Sequence, residues 1–119
     1  MLTPTTFTLQ FTTSTGGVSN AYFRAPYACT VRDLLVTCQA DPGDADVVSV
    51  LDSSAHSIGT CTFGSGLAAG AAAGAFAPDA TYGNTQFADG DLIQLQCTQC
   101  DGAVVLLCVL TLDPFCLTV

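Results

Sequence analysis

An antiparallel β-sandwich is the fold class that this sequence predicts, from three observations. Short segments alternate between apolar and polar residues, as half-buried strands do. Gly, Pro, Asp and Ser separate these segments and are typical of turns. The chain has no Lys and no Glu, residues that usually cover the exposed faces of helices. We therefore expect one all-β domain over residues 1–119, a sandwich of about eight strands in its jelly-roll version, with residues 1–4 as an N-terminal arm.

The first half of the chain contains five predicted strands. The pattern is clearest in the first, where every second residue from Phe7 to Phe11 is apolar and Thr or Gln lies between. Turn signals follow at residues 14–17, 41–44 and 52–55. Arg32 is expected at a sheet edge or an interface. The predicted strands are Thr5–Thr13, Val18–Arg24, Cys29–Cys38, Val47–Leu51 and Ser57–Phe63.

A segment rich in Gly and Ala follows, from Gly64 to Asp79. Ala favours helix, but each Gly in a helix interior costs about 1 kcal/mol relative to Ala. The composition therefore predicts a long ordered loop with at most a short helical stretch. Extended structure is expected to resume over Ala80–Ala88.

The segment Phe87–Phe115 is expected to be a long β-hairpin with its turn at Thr98–Gly102. Its first arm alternates through Ile93 and Leu95, so that one face is buried. Its second arm is apolar at every position of Ala103–Leu110, which requires a covering on both faces. We expect this arm to be central, with one face in the core and the other under the second sheet or a partner subunit.

The charge balance disfavours several classes of partner. All ten acidic residues are Asp, only Arg24 and Arg32 oppose them, and the formal net charge is −8. Nucleic-acid affinity rests on cations that neutralise phosphates, so no nucleic-acid partner is expected. No apolar run approaches the roughly 20 residues that span a bilayer, so no membrane role is expected. The beginning, MLTPTTFTLQF, does not resemble a secretory signal, which predicts a protein used without export.

Seven cysteines raise the question of a metal or redox site. Cys97 and Cys100 have the spacing of half a zinc site, but the other ligands would have to be distant residues such as His56 or Cys61. A redox role is disfavoured because no helix N-terminus is expected there to lower a thiol pKa. We interpret Cys29, Cys38 and Cys108 as core residues of strands and the pair Cys97 and Cys100 as packing residues. Disulfides are left open for a particle outside the cell, and no metal and no cofactor are predicted.

The remaining candidates for chemistry lie in turns. His56 is close to Asp52 and to several serines, the residue types of a catalytic triad, but residues this close in one turn rarely adopt triad geometry. The group Asp41, Asp44 and Asp46 has carboxylates suited to Ca²⁺ but not the spacing of an EF-hand loop. Residues 89–91, Asp-Gly-Asp, are expected to form a tight turn into a strand. No aromatic residue is marked by its sequence context as a sugar-binding platform, and no catalytic residue is predicted.

One resemblance covers most of the chain, from about Asn20 to Phe115. The segments that carry it are Tyr22–Pro26, Cys29–Leu34, Phe87–Ile93 and Leu110–Pro114. In these segments the sequence resembles the jelly-roll decoration or cement proteins that sit as trimers on the icosahedral capsids of tailed bacteriophages. The resemblance implies a non-enzymatic homotrimer that is made in the host cytoplasm, binds major capsid subunits on the virion surface and stabilises the capsid against internal DNA pressure.

Three classes of function follow from these observations. The first is the structural virion protein, whose hydrophobic strand and few charges suit a subunit with part of its surface hidden. The second is a receptor- or glycan-binding head domain of a phage fibre or spike. The third is an enzyme, which would need Asp52 and His56 to act together.

Overall fold

The computed structural model describes residues 4–13, 18–39, 46–63, 70–71, 74–98 and 105–114. These residues confirm the all-β prediction, and among them there is no helix that could cross a membrane. Five of the strands agree with the predicted ones to within a residue at each end. The eight strands of the described residues are β1 Thr5–Thr12, β2 Ser19–Arg24, β3 Cys29–Cys38, β4 Asp46–Leu51, β5 Ser57–Phe63, β6 Ala77–Pro78, β7 Leu92–Cys97 and β8 Val105–Pro114.

The strands form two antiparallel sheets that pack as a β-sandwich. The three-stranded sheet has the order β1-β8-β3, and the five-stranded sheet has the order β2-β7-β4-β5-β6. Phe87 exchanges two backbone hydrogen bonds with Cys29, so the chain before β7 also reaches the edge of the three-stranded sheet. This order, with the bridge at Phe87 in place of a fourth strand, corresponds to that of a jelly roll.

The core lies between the inner faces of the two sheets. Side chains that alternate along each strand point into it, as the burial pattern of β7 shows. Burying a Leu or Ile side chain stabilises the fold by about 1.5–3 kcal/mol. The inward side chains of the two sheets therefore supply most of the favourable free energy of folding. The largest completely buried side chains are Leu34, Ile58, Ile93, Leu95, Leu106, Leu110 and Leu112.

The predicted hairpin over Phe87–Phe115 is wrong. Strand β7 pairs with β2 and β4, whereas β8 pairs with β1 and β3, so the two arms lie in different sheets. The hydrophobic pattern would be the same if β7 and β8 were paired within one sheet. In both cases the inward residues of the two strands face the core of the sandwich. Among the described residues, the consecutive strands β4 and β5 pair directly and form a tight hairpin.

The expected central position of the apolar arm Ala103–Leu110 is confirmed for residues 105–110. Strand β8 lies between β1 and β3, and Leu106, Cys108 and Leu110 are buried. The opposite face points away from the five-stranded sheet, and Leu107 is 41% exposed there. The second sheet therefore does not cover this face, and its covering by a partner stays a prediction.

The extended structure predicted for Ala80–Ala88 is also wrong, because residues 80–84 form a turn. The carboxylate of Asp79 accepts hydrogen bonds from the backbone N–H groups of Thr81 and Tyr82, both at 2.8 Å. A side-chain acceptor of this kind satisfies backbone donors locally and competes with strand pairing. Only the bridge at Phe87 restores pairing before β7.

The tight turn predicted at residues 89–91 is confirmed. Gly90 has a φ of 87°, a left-handed conformation that glycine adopts without steric cost. Asp91 accepts a hydrogen bond from the Ala88 N–H at 2.8 Å, and the Gly90 N–H donates to the Ala25 carbonyl at 2.7 Å. These bonds fix the entry of the chain into β7.

Several predictions fall outside the described residues. These are the arm at residues 1–3, the turns at residues 14–17 and 41–44, most of the Gly/Ala-rich segment and residues 99–102 of the expected hairpin turn. Cys100 and the side chains of Asp41, Asp44 and Asp46 lie outside them as well.

Candidate functional site

The described cysteines are core residues. All five, at positions 29, 38, 61, 97 and 108, are buried, which confirms the packing role predicted for four of them and adds Cys61. The Cys61 thiol donates a hydrogen bond to the Leu34 carbonyl at 2.9 Å across the sandwich. Within the described ranges, no three His, Cys or Asp side chains are grouped so as to hold a metal ion.

Burial makes these thiols poor nucleophiles. It raises the pKa of Cys108 from 9.0 to about 12, with smaller contributions from Cys61 and Cys38. It likewise raises the pKa of Cys61 to about 11, and the negative charge of Asp33 adds to the effect. The pKa of Cys29 is raised by burial and by the charge of Asp91. Since the thiolate is the reactive form, these three side chains are suited to packing rather than to catalysis.

Asp52 and His56 contact each other in the β4–β5 turn, which the sequence interpretation considered rare for such close residues. The His56 Nδ1 lies 3.0 Å from the Asp52 Oδ2, and the Asp52 Oδ1 accepts hydrogen bonds from the N–H groups of Ser54 and His56. Partial burial opposes ionisation of Asp52, but the hydrogen bonds from His56 and Ser54 outweigh it and lower the pKa of Asp52. The carboxylate therefore organises the whole turn.

The His56 ring also stacks on Tyr82, whose backbone N–H is held by Asp79. The ring centroids are 4.1 Å apart and the planes differ by 6°. Two elements of a triad are thus present, Asp and His, but no serine hydroxyl in the described residues bonds to the imidazole. A Ser-His-Asp triad also needs a hydroxyl aligned with the imidazole, so the contacts seen among the described residues are those of a stabilised turn.

We expect Asp52→Asn to lower the free energy of unfolding by about 1–2 kcal/mol at about pH 7, because it weakens hydrogen bonds to a charged acceptor. The pKa of Asp52 is lower when folded, so its contribution is present above the ordinary value of 3.8 and is lost as pH falls. Urea unfolding of both proteins over a pH series measures the difference. If the difference in the free energy of unfolding between the two proteins persists in strong acid, this explanation is contradicted.

The outer face of the three-stranded sheet carries an apolar patch, which consists of Leu35, Val105, Leu107 and Val109. Leu35 is 47% exposed, Leu107 is 41% exposed, and the two valines are half-buried. Leu35 lies opposite Val109 in the β3–β8 ladder, so the side chains form one continuous area. Because large contiguous apolar patches are typical of interaction sites on soluble proteins, the apolar patch is a candidate contact surface.

An open cavity of about 430 Å³ adjoins the apolar patch. Leu107 and Val105 form its apolar wall, and Gln10 and Thr37 flank Leu107 on the neighbouring strands. Arg32 and Asp113 form an exposed ion pair, with 3.4 Å between Nη1 and Oδ1, on strands β3 and β8 of the same sheet. Since β3 is the outer strand in the order β1-β8-β3, Arg32 lies on an edge strand, which is one of the two positions predicted for it. The face combines a hydrophobic recess with a polar border.

The outer face of the five-stranded sheet is different in chemistry. Tyr22 is 59% exposed and lies directly opposite Gln94 in the β2–β7 ladder. The Asn20 Oδ1 accepts hydrogen bonds from the Nε2 atoms of Gln94 at 2.6 Å and Gln96 at 3.2 Å. We call these four side chains the amide cluster. The alternation of β7 predicted that both Gln residues point outward, but it did not predict their partner.

No protein-family model matches the chain, and a search of curated proteins also finds no match. The class of protein is therefore given by its fold, an antiparallel β-sandwich with the strand order of a jelly roll. Its function has to be inferred from the two outer faces.

Proposed function

We propose that this protein is a structural virion protein, which decorates and stabilises an icosahedral phage capsid by binding major capsid subunits as a homotrimer. The capsid partner comes from the resemblance of four sequence segments to decoration proteins. The observation that carries an assembly role is the apolar patch on the outer face of β8. The proposed location is the capsid surface of the virion.

The apolar patch supports this proposal because its position is unusual for a strand that faces water. A sheet with one solvent face normally carries polar residues on that face. Strand β1 follows this rule with its outward Thr and Gln residues, but the central strand β8 presents Val105, Leu107 and Val109 instead. Covering them by a neighbouring subunit would remove apolar area from water at about 25 cal/mol per Å².

The chemistry of the described residues also favours contact over catalysis. Burial keeps the Cys61 and Cys108 thiols protonated at neutral pH, and no serine hydroxyl of the described residues bonds to the His56 imidazole. The high negative charge of the chain disfavours direct contact with packaged DNA. A protein on the outer surface of a capsid does not need such contact.

A receptor- or glycan-binding head domain of a fibre or spike is the second candidate. It is favoured by Tyr22, an exposed aromatic ring beside amide groups. This candidate places the binding surface on the five-stranded sheet and gives the apolar patch no role. The two proposals therefore differ in where a substitution abolishes binding. The capsid proposal requires the apolar patch, whereas the head-domain proposal requires the outer face of the five-stranded sheet.

We expect the wild-type protein to be a trimer by size exclusion with light scattering at micromolar concentration, and Leu107→Asp to be a monomer. A carboxylate in the apolar patch would have to be desolvated in the interface, which costs several kcal/mol when it is unpaired. Binding to capsids that lack the protein, measured by co-sedimentation, should fall in parallel.

Tyr22→Asp is the matched control, because it places the same charge on an exposed hydrophobic position of the opposite face. It should leave both the trimer and capsid binding intact. Thermal unfolding of the variants separates lost assembly from lost folding. A wild-type monomer, or a Leu107→Asp variant that is still trimeric, would overturn the proposal.

A further inference from the structure

We propose that the amide cluster is a binding site for a neutral saccharide. The site consists of Tyr22, Asn20, Gln94 and Gln96 on strands β2 and β7. Its expected ligand is an uncharged sugar whose vicinal hydroxyls contact the amides and whose apolar C–H face rests on the tyrosine ring.

The amides are held in place while part of their bonding capacity stays unused. Both glutamines donate to the same acceptor, the Asn20 Oδ1, at 2.6 and 3.2 Å. A primary amide has two N–H donors and a carbonyl acceptor. Within the described part of the chain, the hydrogen bonds of these side chains use only the two Nε2 atoms and the Asn20 Oδ1, which leaves the Asn20 Nδ2 and both glutamine Oε1 atoms for a ligand. The cluster thus presents donors and acceptors side by side, as adjacent hydroxyl groups require.

Tyr22 provides the apolar surface of the site. Its ring is exposed, and the antiparallel register places it opposite Gln94 and two residues from Asn20 on the same face. Tyr combines a large apolar ring with a hydroxyl group and has few rotatable bonds, so it loses little entropy on binding. A sugar ring has the matching combination of one C–H face and a polar edge.

The lack of carboxylates on this face selects a neutral ligand over a cationic one. Ten Asp residues are present in the chain, yet the described outward strand residues of the five-stranded sheet carry none of them. The outward positions of β4 and β5 add hydroxyl groups at Ser49, Thr60 and Thr62. The only cation among them is Arg24, whose Nη1 donates to the Gly90 carbonyl at 3.0 Å.

The site is independent of the proposed assembly. The apolar patch and the amide cluster lie on the outer faces of different sheets, so a subunit that binds through one leaves the other exposed. A subunit that is covered at the apolar patch and an isolated domain would therefore both leave the amide cluster exposed. Loss of the trimer therefore does not test the saccharide site.

The test is a nuclear magnetic resonance titration of the full chain with three neutral linear hexasaccharides, cellohexaose, chitohexaose and maltohexaose. We expect at least one of them to shift the side-chain amide resonances of Asn20, Gln94 and Gln96 at millimolar concentration, a weak affinity that suits a shallow site. Tyr22→Ala should weaken that binding about tenfold or more, whereas Tyr22→Phe should retain it because the ring remains.

Leu107→Asp serves as the control on the opposite face and should bind the saccharide as the wild type does. The proposal is overturned if none of the three saccharides shifts the cluster, or if shifts occur elsewhere in the protein. It is also overturned if Tyr22→Ala binds as tightly as Tyr22→Phe.

Discussion

Between pH 9 and pH 12 the protein should lose about 3 kcal/mol of its free energy of unfolding through the Cys108 thiol alone. The thiol keeps its proton in the folded state up to a pKa of about 12, whereas the ordinary value is 9.0. Above pH 9 the unfolded state therefore releases a proton that the folded state retains, and unfolding becomes more favourable. The contribution of this thiol to stability is complete below the ordinary pKa, and it is lost across this interval at a slope of at most about 1.4 kcal/mol per pH unit.

Denaturant unfolding at a series of alkaline pH values measures this slope. Cys108→Ala should be less stable at neutral pH, because it leaves a small cavity, but its stability should fall less steeply with pH. Val36→Ala is the matched control, since Val36 is buried and lies opposite Cys108 in the β3–β8 ladder. It should lower stability without changing the slope. Parallel curves for the wild type and Cys108→Ala would show that this thiol is not the titrating group.

We expect Gly59→Val to lower the free energy of unfolding by about 3 kcal/mol, at the upper end of the usual cost of overpacking a core. Gly59 is in β5 opposite the buried Val50, and the Phe76 ring occupies the space that a side chain would fill. A Cβ at this position would overlap that ring and would lie 2.8 Å from the Ala77 carbonyl oxygen. The ring and the backbone of β6 would both have to move.

A double-mutant cycle of Gly59→Ala with Phe76→Ala checks this explanation. Removing the ring gives the new methyl group space, so the double variant should be more stable than the sum of the single effects predicts. Gly90→Ala is the control, because its Cβ would meet nothing within 4 Å and its cost comes only from a φ of 87°. That variant should lose about 1 kcal/mol, with no dependence on Phe76. Additive effects of Gly59→Ala and Phe76→Ala would contradict the packing argument.

The strands themselves were predictable because local alternation reflects burial. Phe7, Leu9 and Phe11 point inward on β1 as their spacing indicated, and Ile93 and Leu95 do so on β7. Pairing was less predictable, since an inward residue faces the same core whichever sheet its strand joins. The β7–β8 hairpin was wrong for this reason, and the turn after Asp79 was missed because a carboxylate cap has no periodic signal.

In the candidate sites, too, the sequence predicts contacts between neighbouring residues but not contacts between distant segments. The Asp52–His56 contact involves residues four apart, and their spacing drew attention to them, but the stacking of Tyr82 on His56 joins separate loops. The bond between Asn20 and Gln94 spans 74 positions. Outward Gln residues could be read from alternation, whereas their convergence on one acceptor beside Tyr22 could not.

The sequence by itself determined the all-β class, most of the strands, the buried cysteines among the described residues and the two-sided apolar character of β8. These properties depend on the residue types within one segment. The tertiary structure alone decided which strands share a sheet, that the outer face of β8 is left exposed, and that Tyr22 joins an amide cluster. Such properties depend on register and on contacts between distant segments, which local hydrophobic periodicity does not encode.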